Sequence, residues 1–390
     1  WITCFFGIQN PANSVNLGNV DKNLSSIINL DCNIADFQSV EKIINDTKSE
    51  SDMKSMAETE LEKIISKHEI NENTFSQVFI NTITDPLLGQ VDREFIIQFP
   101  PYYDNEQPLP LVFDVHGYQG SASGQQTSTG WSLLAEQQDF LVVWPNGMGD
   151  DPNGWNSWNV SKTVGPKGLT CDASIASTEC YYSCPDCKYD GTSCDWSSCY
   201  DDVYFFQWLL DTLTDTYCID LNQIHYSGYS NGGMLAYYIA STTNDALGFA
   251  TINPVAASSL NGYGTPPPTD PVNFSIIDFH GFEDTTIPYN QSFGNGIGPE
   301  NTVIGFSGYY WDQKPELLKL WSDKLECLEN EVYVTPYDGQ SNFHCLEAKC
   351  SNQKSIVQCT GDFGHAYPLP FDINVATKVA YQFMVNHPRK

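Results

Sequence analysis

The stretch at residues 223–234 reads QIHYSGYSNGGM and decides the fold. An apolar strand pattern at 223–227 runs into Gly228-Tyr229-Ser230-Asn231-Gly232, and a helical pattern begins at Met234. Glycines permit a turn that is too tight for other residues, and a serine at the centre of such a turn is held outward. The stretch therefore predicts a strand, a sharp turn that exposes Ser230, and a helix.

The same alternation of strand and helix continues on both sides of this stretch. Short apolar strand patterns lie at 95–99, 111–115, 140–144, 275–279 and 332–335. Helical patterns lie at 131–137, 203–213, 234–241, 317–325 and 375–385. Strands that alternate with helices indicate an α/β fold with a mainly parallel sheet flanked by helices, and we predict this domain over residues 76–390.

Two parts of the chain depart from this pattern. Residues 1–75 are polar, with helical periodicity, and predict a small helical N-terminal appendage. Residues 145–200 contain Trp155, Trp158, several glycines and a cluster of six cysteines, which predicts a disulfide-rich insertion near a site. Residues 285–312, with several glycines and a Tyr309-Tyr310-Trp311 run, are a second candidate wall of that site.

Charge and cysteine content restrict the partners and the compartment. The 18 basic and 48 acidic residues give a net charge of -30, which repels nucleic acid and anionic membranes. No apolar run reaches membrane-spanning length, so we expect no membrane span, and we expect a monomer. Thirteen cysteines indicate disulfides and secretion. Asn-x-Ser/Thr sequons suit a secreted glycoprotein and begin at Asn23, Asn45, Asn159, Asn273 and Asn290.

The start of the chain and two cysteine patterns carry further expectations. Because the chain opens with Trp1, we expect a signal peptide to have been removed or left out of the numbering. The C-x-x-C spacing of Cys184 and Cys187 fits zinc or a redox pair, but the secretory signals favour disulfides. The odd cysteine count leaves one thiol unpaired, and we predict that it is a buried Cys218.

A serine hydroxyl becomes nucleophilic when a histidine base lies beside it and an acid orients that base. In a strand–serine–helix turn the chain order is serine, then Asp or Glu, then His. Asp284 follows the strand pattern that ends at Phe279, and His365 lies in a glycine-bounded loop before the last helix. We predict Ser230, Asp284 and His365 as the catalytic set. Alternative acids are Glu283 and Asp278, and the reserve base is His344.

An acyl-transfer site also needs N–H donors for the oxyanion of its tetrahedral intermediate. The backbone N–H of Asn231, directly after the serine, is one candidate, and that of Tyr118, in the loop after strand 111–115, is the other. Gly117 is the alternative to Tyr118. We also predict an aromatic substrate-binding wall of Trp155, Trp158, Tyr229 and Phe282, although the tryptophans could instead fill the core. The carboxylates of Asp201 and Asp202 are expected to cap the helix that follows.

These motifs resemble the secreted esterases that include poly(3-hydroxybutyrate) depolymerase-like enzymes and the related feruloyl and acetylxylan esterases. The matching segments follow the family's order from about 90 to 385. They are HG at 116–117, FLVVWPNG at 140–147, the Trp155 region, DDVYF at 201–205, IHYSGYSNGGMLAY at 224–237, HGFEDTTIPY at 280–289, Trp321 with Cys327, and GHAYP at 364–368. The resemblance implies an α/β-hydrolase fold, the same three catalytic residues, and hydrolysis of carboxylic esters without a metal or organic cofactor. Tyr118 and Tyr367 depart from the family, which often has Cys and Trp there.

We therefore expect a secreted serine esterase, with hydroxycinnamoyl (feruloyl) esters of plant cell-wall polysaccharide as its substrates. A polyhydroxybutyrate or other polyester and acetylated xylan are the alternative substrates. Two further classes fit the same residues: a peptidase, since the same three side chains cleave amides, and an inactive hydrolase-fold binding protein.

Overall fold

The structure is a computed structural model, and it describes residues 75–150, 153–160, 165–166, 170–172, 174, 181–184, 193–194, 196–261, 263, 272–294, 296–328, 332–334, 343–367 and 375–389. The predicted appendage at 1–75 lies, except for its last residue, outside the described residues. Parts of the predicted insertion at 145–200 also lie outside them.

A ten-stranded sheet forms the centre of the described chain. Its strands, given in chain order, are β1 (Phe75–Asp85), β2 (Gly89–Phe99), β3 (Leu109–Val115), β4 (Leu141–Pro145), β7 (Ile219–Tyr229), β8 (Thr251–Val255), β9 (Ser275–Gly281), β12 (Val332–Val334), β13 (Phe343–Lys349) and β14 (Ser355–Gly361). Two short two-stranded sheets are separate from it: β5 (Gly165–Pro166) with β6 (Ser193–Cys194), and β10 (Thr302–Ile304) with β11 (Tyr310–Asp312).

The strand order across the sheet is β1-β2-β4-β3-β7-β8-β9-β14-β13-β12. The six central strands, from β4 to β14, are parallel to one another, whereas the strands at both edges pair antiparallel. Since parallel strands place their carboxyl ends at one edge, the loops after β3, β7, β9 and β14 lie on the same side of the sheet.

Helices cover both faces of the sheet. They are α1 (Ala122–Ser128), α2 (Trp131–Gln138), α3 (Asp202–Thr216), α4 (Asn231–Thr242), α5 (Lys314–Lys324) and α6 (Val375–Asn386). One core cluster joins α3, α4 and α5 to the sheet, and the other joins α1, α2 and α6 to its opposite face. Alternate residues of a strand serve the two clusters: in β3, Leu111, Phe113 and Val115 face the first, and Val112 faces the second. The predicted layered α/β architecture is confirmed.

The predicted elements are found where their apolar patterns lie. The patterns at 95–99, 111–115, 140–144, 223–227, 275–279 and 332–335 correspond to β2, β3, β4, β7, β9 and β12, and the five helical patterns correspond to α2–α6. The sheet strands β1, β8, β13 and β14, the short strands β5, β6, β10 and β11, and helix α1 had no predicted counterpart. Of these, β8 reads TINPV. It is a fully buried central strand, but Asn253 and Pro254 are residues that strands rarely contain, so its sequence does not predict one.

Disulfides are present in and beyond the cysteine-rich insertion. Cys184 pairs with Cys199, Cys327 with Cys350, and Cys345 with Cys359. Because Cys184 is bonded to Cys199, it is not a thiolate ligand for zinc with Cys187. Cys218 has a free thiol, as predicted, but it is half-buried and not buried. No helix in the described part of the chain is both long and apolar enough to cross a bilayer.

Candidate active site

Ser230 lies in the sharp turn between β7 and α4. Its backbone has φ 52° and ψ -115°, a conformation that L-residues rarely adopt, and its N–H donates to the carbonyl of Val255 at 2.8 Å. A Cβ at Gly228 would lie 2.5 Å from the carbonyl oxygen of Gly232, so the turn can close only with glycine at position 228. The local sequence thus holds Ser230 at the end of a central strand and the start of a helix.

His365 bridges Ser230 and Asp284. Its Nε2 lies 2.8 Å from Ser230 Oγ, and its Nδ1 lies 2.8 Å from Asp284 Oδ2. Asp284 follows β9, and His365 follows β14, the neighbouring parallel strand. The structure therefore brings together all three residues that chain order predicted, at the distances that proton transfer from the hydroxyl requires.

Asp284 is held as a carboxylate. Burial alone would raise its pKa, but hydrogen bonds from His280 and His365 outweigh this effect and lower the pKa to about 2. The other carboxylate oxygen, Oδ1, accepts the N–H groups of Thr286 and Ile287, each at 2.9 Å. The side chain is thereby fixed in orientation, and a fixed carboxylate can hold the imidazole in the tautomer with a proton on Nδ1.

The alternative acids and the reserve base lie elsewhere. Asp278 is buried in an ion pair with Lys314 at 2.8 Å and accepts the hydroxyl of Tyr237 at 2.7 Å. Glu283 is exposed, and His344 lies on β13, paired in register with Thr360. None of the three takes part in the Ser230–His365–Asp284 chain of hydrogen bonds.

Backbone from two segments reaches the serine. Asn231 is the first residue of α4, where N–H groups have no acceptor within the helix. From the other side, a Cβ at Gly117 would lie only 3.1 Å from Ser230 Cβ, so the loop that contains Tyr118 passes directly beside the serine. Both predicted oxyanion donors are therefore in segments that adjoin Ser230.

His116 stabilises the loop that contains Tyr118 through two hydrogen bonds. Its Nε2 accepts the N–H of Gly147 at 2.9 Å, and its Nδ1 lies 2.7 Å from the carbonyl oxygen of Gly117. The proton must then be on Nδ1, because Nε2 is an acceptor. Burial lowers the pKa of His116 to about 4, so the ring stays neutral and keeps both hydrogen bonds at ordinary pH.

An aromatic cluster extends from the loop. The ring of Tyr118 packs edge-on against Trp155 and Trp196, with centroid distances of 6.1 and 5.5 Å. Trp196 also contacts the rings of Tyr309 and Trp311 in the β10–β11 hairpin. The two stretches singled out from the sequence, 145–200 and 285–312, therefore meet at Trp196, next to the loop that passes the serine.

The remaining predicted wall residues occupy different places. Tyr229 donates its hydroxyl to the carbonyl of His365 at 2.9 Å, and its ring lies 5.4 Å from the imidazole. Phe282 is 53% exposed and packs edge-on against Tyr289. Trp158 is 0% exposed and belongs to the core, so its predicted place in a substrate-facing wall is wrong.

The structure corrects two further expectations for this region. Asp201 caps α3 by accepting the N–H of Tyr204, as predicted, but Asp202 is instead buried in an ion pair with Arg93 at 2.5 Å. The predicted sequon at Asn159 is buried, and its Nδ2 donates to the carbonyl of Tyr200 at 2.8 Å. A glycan cannot be attached to that nitrogen in the folded protein.

Sequence reasoning assigned no role to three residues that shape the site. His280 lies in the quoted HGFED segment, which was the signal available for it, and its Nε2 lies 3.4 Å from Asp284 Oδ2. His116 was noted only as part of an HG turn, and Trp196 carried no signal beyond lying in the insertion. In the described ranges, no group of three or more His, Cys, Asp or Glu side chains is arranged to hold a metal ion.

Comparisons with known proteins give relatives of one kind. No protein-family model matches the chain. It is 25% identical over 234 residues to a bifunctional acetylxylan esterase/xylanase of Neocallimastix patriciarum, which covers 60% of this chain and 24% of that protein. It is also 25% identical over 278 residues to feruloyl esterase B of Piromyces equi, covering 70% of this chain and 42% of that protein. The chain thus spans less than half the length of these two relatives.

Among solved structures, the acetyl xylan esterase from Aspergillus awamori aligns with 80% of this chain and 99% of its own, at 15% identity and a TM-score of 0.49. The fold assignment stands on the strand order and the serine turn described above. The curated relatives confirm the resemblance drawn from the motifs: this chain is similar to feruloyl and acetylxylan esterases.

Proposed function

We propose that this protein is a secreted serine carboxylic-ester hydrolase that removes hydroxycinnamoyl groups from plant cell-wall polysaccharide. The observation that carries the proposal is the position of His365, 2.8 Å from both Ser230 Oγ and Asp284 Oδ2. The names of the relatives support the ester class, and the disulfides support an oxidising compartment.

The reaction proceeds in two halves on these residues. His365 Nε2 takes the proton of Ser230 as its oxygen attacks the ester carbonyl, and Asp284 stabilises the imidazolium that forms. The N–H groups of Asn231 and Tyr118 hold the oxyanion of the tetrahedral intermediate. The proton then passes from His365 to the leaving alcohol, which leaves an acyl group on Ser230, and water, activated by the same imidazole, releases the acid.

The aromatic cluster favours an aromatic acyl group. Tyr118, in the loop that passes the serine, is in ring contact with Trp155 and Trp196, and such side chains can pack edge-on or offset-stacked against a cinnamoyl ring. Acetylxylan esterase activity is the second candidate, since an acetylxylan esterase/xylanase is among the similar proteins. An acetyl group gains nothing from an aromatic surface, so the two candidates differ in their dependence on it.

The decisive experiment measures wild type and Ser230→Ala on methyl ferulate, acetylated xylan and a short polyhydroxybutyrate oligomer. We expect wild type to prefer the ferulate, and Ser230→Ala to lose at least about 10⁴-fold in kcat. A matched amide tests the peptidase alternative, and a fluorophosphonate probe tests whether Ser230 is reactive at all. Failure of wild type to react with the probe would identify an inactive binding protein. A preference for another of the esters would make that ester the substrate in place of the ferulate.

Trp196→Ala, compared on ferulate and acetate esters, tests the acyl preference. The expected result is a loss in kcat/KM of about 10-fold on ferulate, with the acetate ester changed by less than about 2-fold. An equal loss on both esters would argue that Trp196 supports the fold and does not contact the acyl group.

A further inference from the structure

Trp158 lies in the core between the two segments that flank Ser230. Its backbone N–H donates to Asn231 Oδ1 at 2.7 Å, and its carbonyl accepts from Asn231 Nδ2 at 3.1 Å. Its indole Nε1 donates to the carbonyl of His116 at 2.9 Å. One residue is thus hydrogen-bonded to the first residue of α4 and to the loop after β3.

The position of Trp158 is itself fixed by its neighbours in the chain. The next residue, Asn159, donates its N–H to Asp202 Oδ2 at 2.7 Å, and Asp202 is paired with the buried Arg93. The guanidinium of Arg93 stacks 3.8 Å over the ring of Phe205 on α3. A buried ion pair therefore anchors the segment that carries Trp158.

The same segment binds the loop at a second point. The carbonyl of Asn156 accepts the N–H of Gln119 at 2.8 Å, and Asn156 Nδ2 donates to the carbonyl of Gly120 at 3.0 Å. Residues 156–158 therefore restrain the loop on both sides of Tyr118, while the Asn231 side chain restrains the start of α4.

We infer that Trp158 is a positioning residue that sets the distance between the two oxyanion donors, the N–H groups of Asn231 and Tyr118. Such donors stabilise a transition state only when they are held in place before charge develops, because reorganisation during the reaction costs free energy. Asn231 then has two roles: its backbone N–H contacts the oxyanion, and its side chain fixes that N–H through Trp158. The inference rests on the proposed role of Ser230 as nucleophile.

Two variants disturb the spacing between the two donors, one through the loop after β3 and the other through the start of α4. Trp158→Phe keeps a buried ring but removes the indole donor to His116, and Asn231→Ala removes both side-chain bonds to Trp158 while retaining the backbone N–H. Trp144→Phe is the matched control, because Trp144 is equally buried and its Nε1 donates to a strand residue, Asp114 Oδ2 at 3.0 Å, and not to the loop.

We expect Trp158→Phe and Asn231→Ala to lower kcat by about 10- to 100-fold, with KM changed less than about 2-fold, since misplaced donors affect the transition state more than the bound ester. Affinity for phenylboronic acid, which forms a tetrahedral adduct on the serine, should fall in parallel with kcat/KM. Trp144→Phe should keep kcat within about 2-fold of wild type.

Thermal unfolding of each variant shows whether it is folded. If Trp158→Phe does not fold, the kinetics and boronate affinity of Asn231→Ala test the inference. Folded variants with wild-type kcat and boronate affinity, or with a loss equal to that of Trp144→Phe, would overturn the inference and leave the proposed function intact.

Fluorophosphonate labelling separates the opposite case, because it needs no ester substrate. A wild type that hydrolyses no ester but whose labelling is slowed in both variants would remove the proposed function and leave the inference. A wild type without labelling would overturn both.

Discussion

Two buried aspartates at the carboxyl edge of the sheet have pKa values shifted in opposite directions. Asp284 has its pKa lowered to about 2, whereas burial raises the pKa of Asp114, near the end of β3, to about 7. Asp114 accepts three hydrogen bonds, from Gln125, Thr129 and Trp144, and all three donors are neutral. Asp284 accepts hydrogen bonds from His365 and two backbone N–H groups, and a second imidazole, that of His280, lies 3.4 Å from its Oδ2.

The difference shows that the number of hydrogen bonds does not decide the charge of a buried carboxyl group. The neutral donors of Asp114 do not compensate the cost of burying a negative charge. A histidine beside Asp284 can carry a positive charge, which favours the carboxylate when the imidazolium forms. A residue that must stabilise an imidazolium therefore needs surroundings like those of Asp284 and not like those of Asp114.

Asp284→Asn should have the largest effect. An amide cannot stabilise the imidazolium and can force the wrong tautomer on His365, so we expect kcat to fall on the order of 10⁴-fold. Steady-state kinetics on the preferred ester measures the loss. Glu283→Gln, at the exposed neighbouring carboxyl group, should stay within about 2-fold of wild type. A larger loss in Glu283→Gln than in Asp284→Asn would transfer the role of the acid to Glu283.

The acid limb of the pH profile provides a second measure of the same residue. Because the pKa of Asp284 is about 2, it remains a carboxylate above about pH 4, so its own protonation should not contribute there and the fall in kcat/KM should be of first order in protons. Since the folded pKa is below the usual aspartate value, the stability that ionised Asp284 contributes is present above about pH 4 and is lost as the pH falls through 2. A fall of second order in protons would contradict this assignment.

Asp114→Asn should change the pH dependence of stability. The pKa of Asp114 is about 7 in the folded protein and 3.8 in the absence of burial, so the folded state binds the proton more tightly. Its stabilising contribution is therefore present below about pH 4 and is lost as the pH rises through 7, by about 4 kcal/mol in all. Relative to wild type, Asp114→Asn should become more stable between pH 4 and pH 8, as measured by denaturant unfolding. A difference that is constant with pH would contradict the raised pKa.

His280→Phe should have the smallest effect of the three substitutions. His280 Nε2 donates to the carbonyl of Ile287 at 2.7 Å and lies near Asp284 Oδ2, so the phenyl ring would leave that carbonyl without its partner. We expect a loss of about 1–3 kcal/mol in the free energy of unfolding and about a 10-fold loss in kcat. His280→Gln, whose amide reaches the position of Nε2, should recover part of both. Equal losses in the two variants would show that the ring and not the donor matters.

Much of the fold was predictable because its central strands are apolar runs. VVW in β4 and SIIDF in β9 are buried on both faces, and a strand that is buried on both faces can be recognised in the sequence as a nearly continuous apolar run. Strand β1, at one edge of the sheet, and β13, next to the other edge, pair antiparallel, are partly exposed and carry mixed residues, so no such run marks them. In β8 a proline obscures a strand that its neighbours on both sides define.

At the site, chain order predicted which residues meet because each follows a parallel strand, and such strands end at one edge. Burial was harder to predict. Trp158 and Trp155 lie three residues apart in the same insertion, and only tertiary packing places one in the core and the other beside Tyr118. The Arg93–Asp202 pair joins residues that are 109 positions apart, and no local pattern reveals such a contact.

The burial of Asn159 has a consequence for how this protein is produced. Oligosaccharyltransferase meets the nascent chain before it folds, when the sequon is still accessible, and a sugar joined to Nδ2 there would displace the bond to Tyr200 and block the adjoining Arg93–Asp202 anchor from closing. In a eukaryotic expression host we therefore expect folding and modification to compete at this position, and peptide mapping of the folded protein should find Asn159 without a glycan.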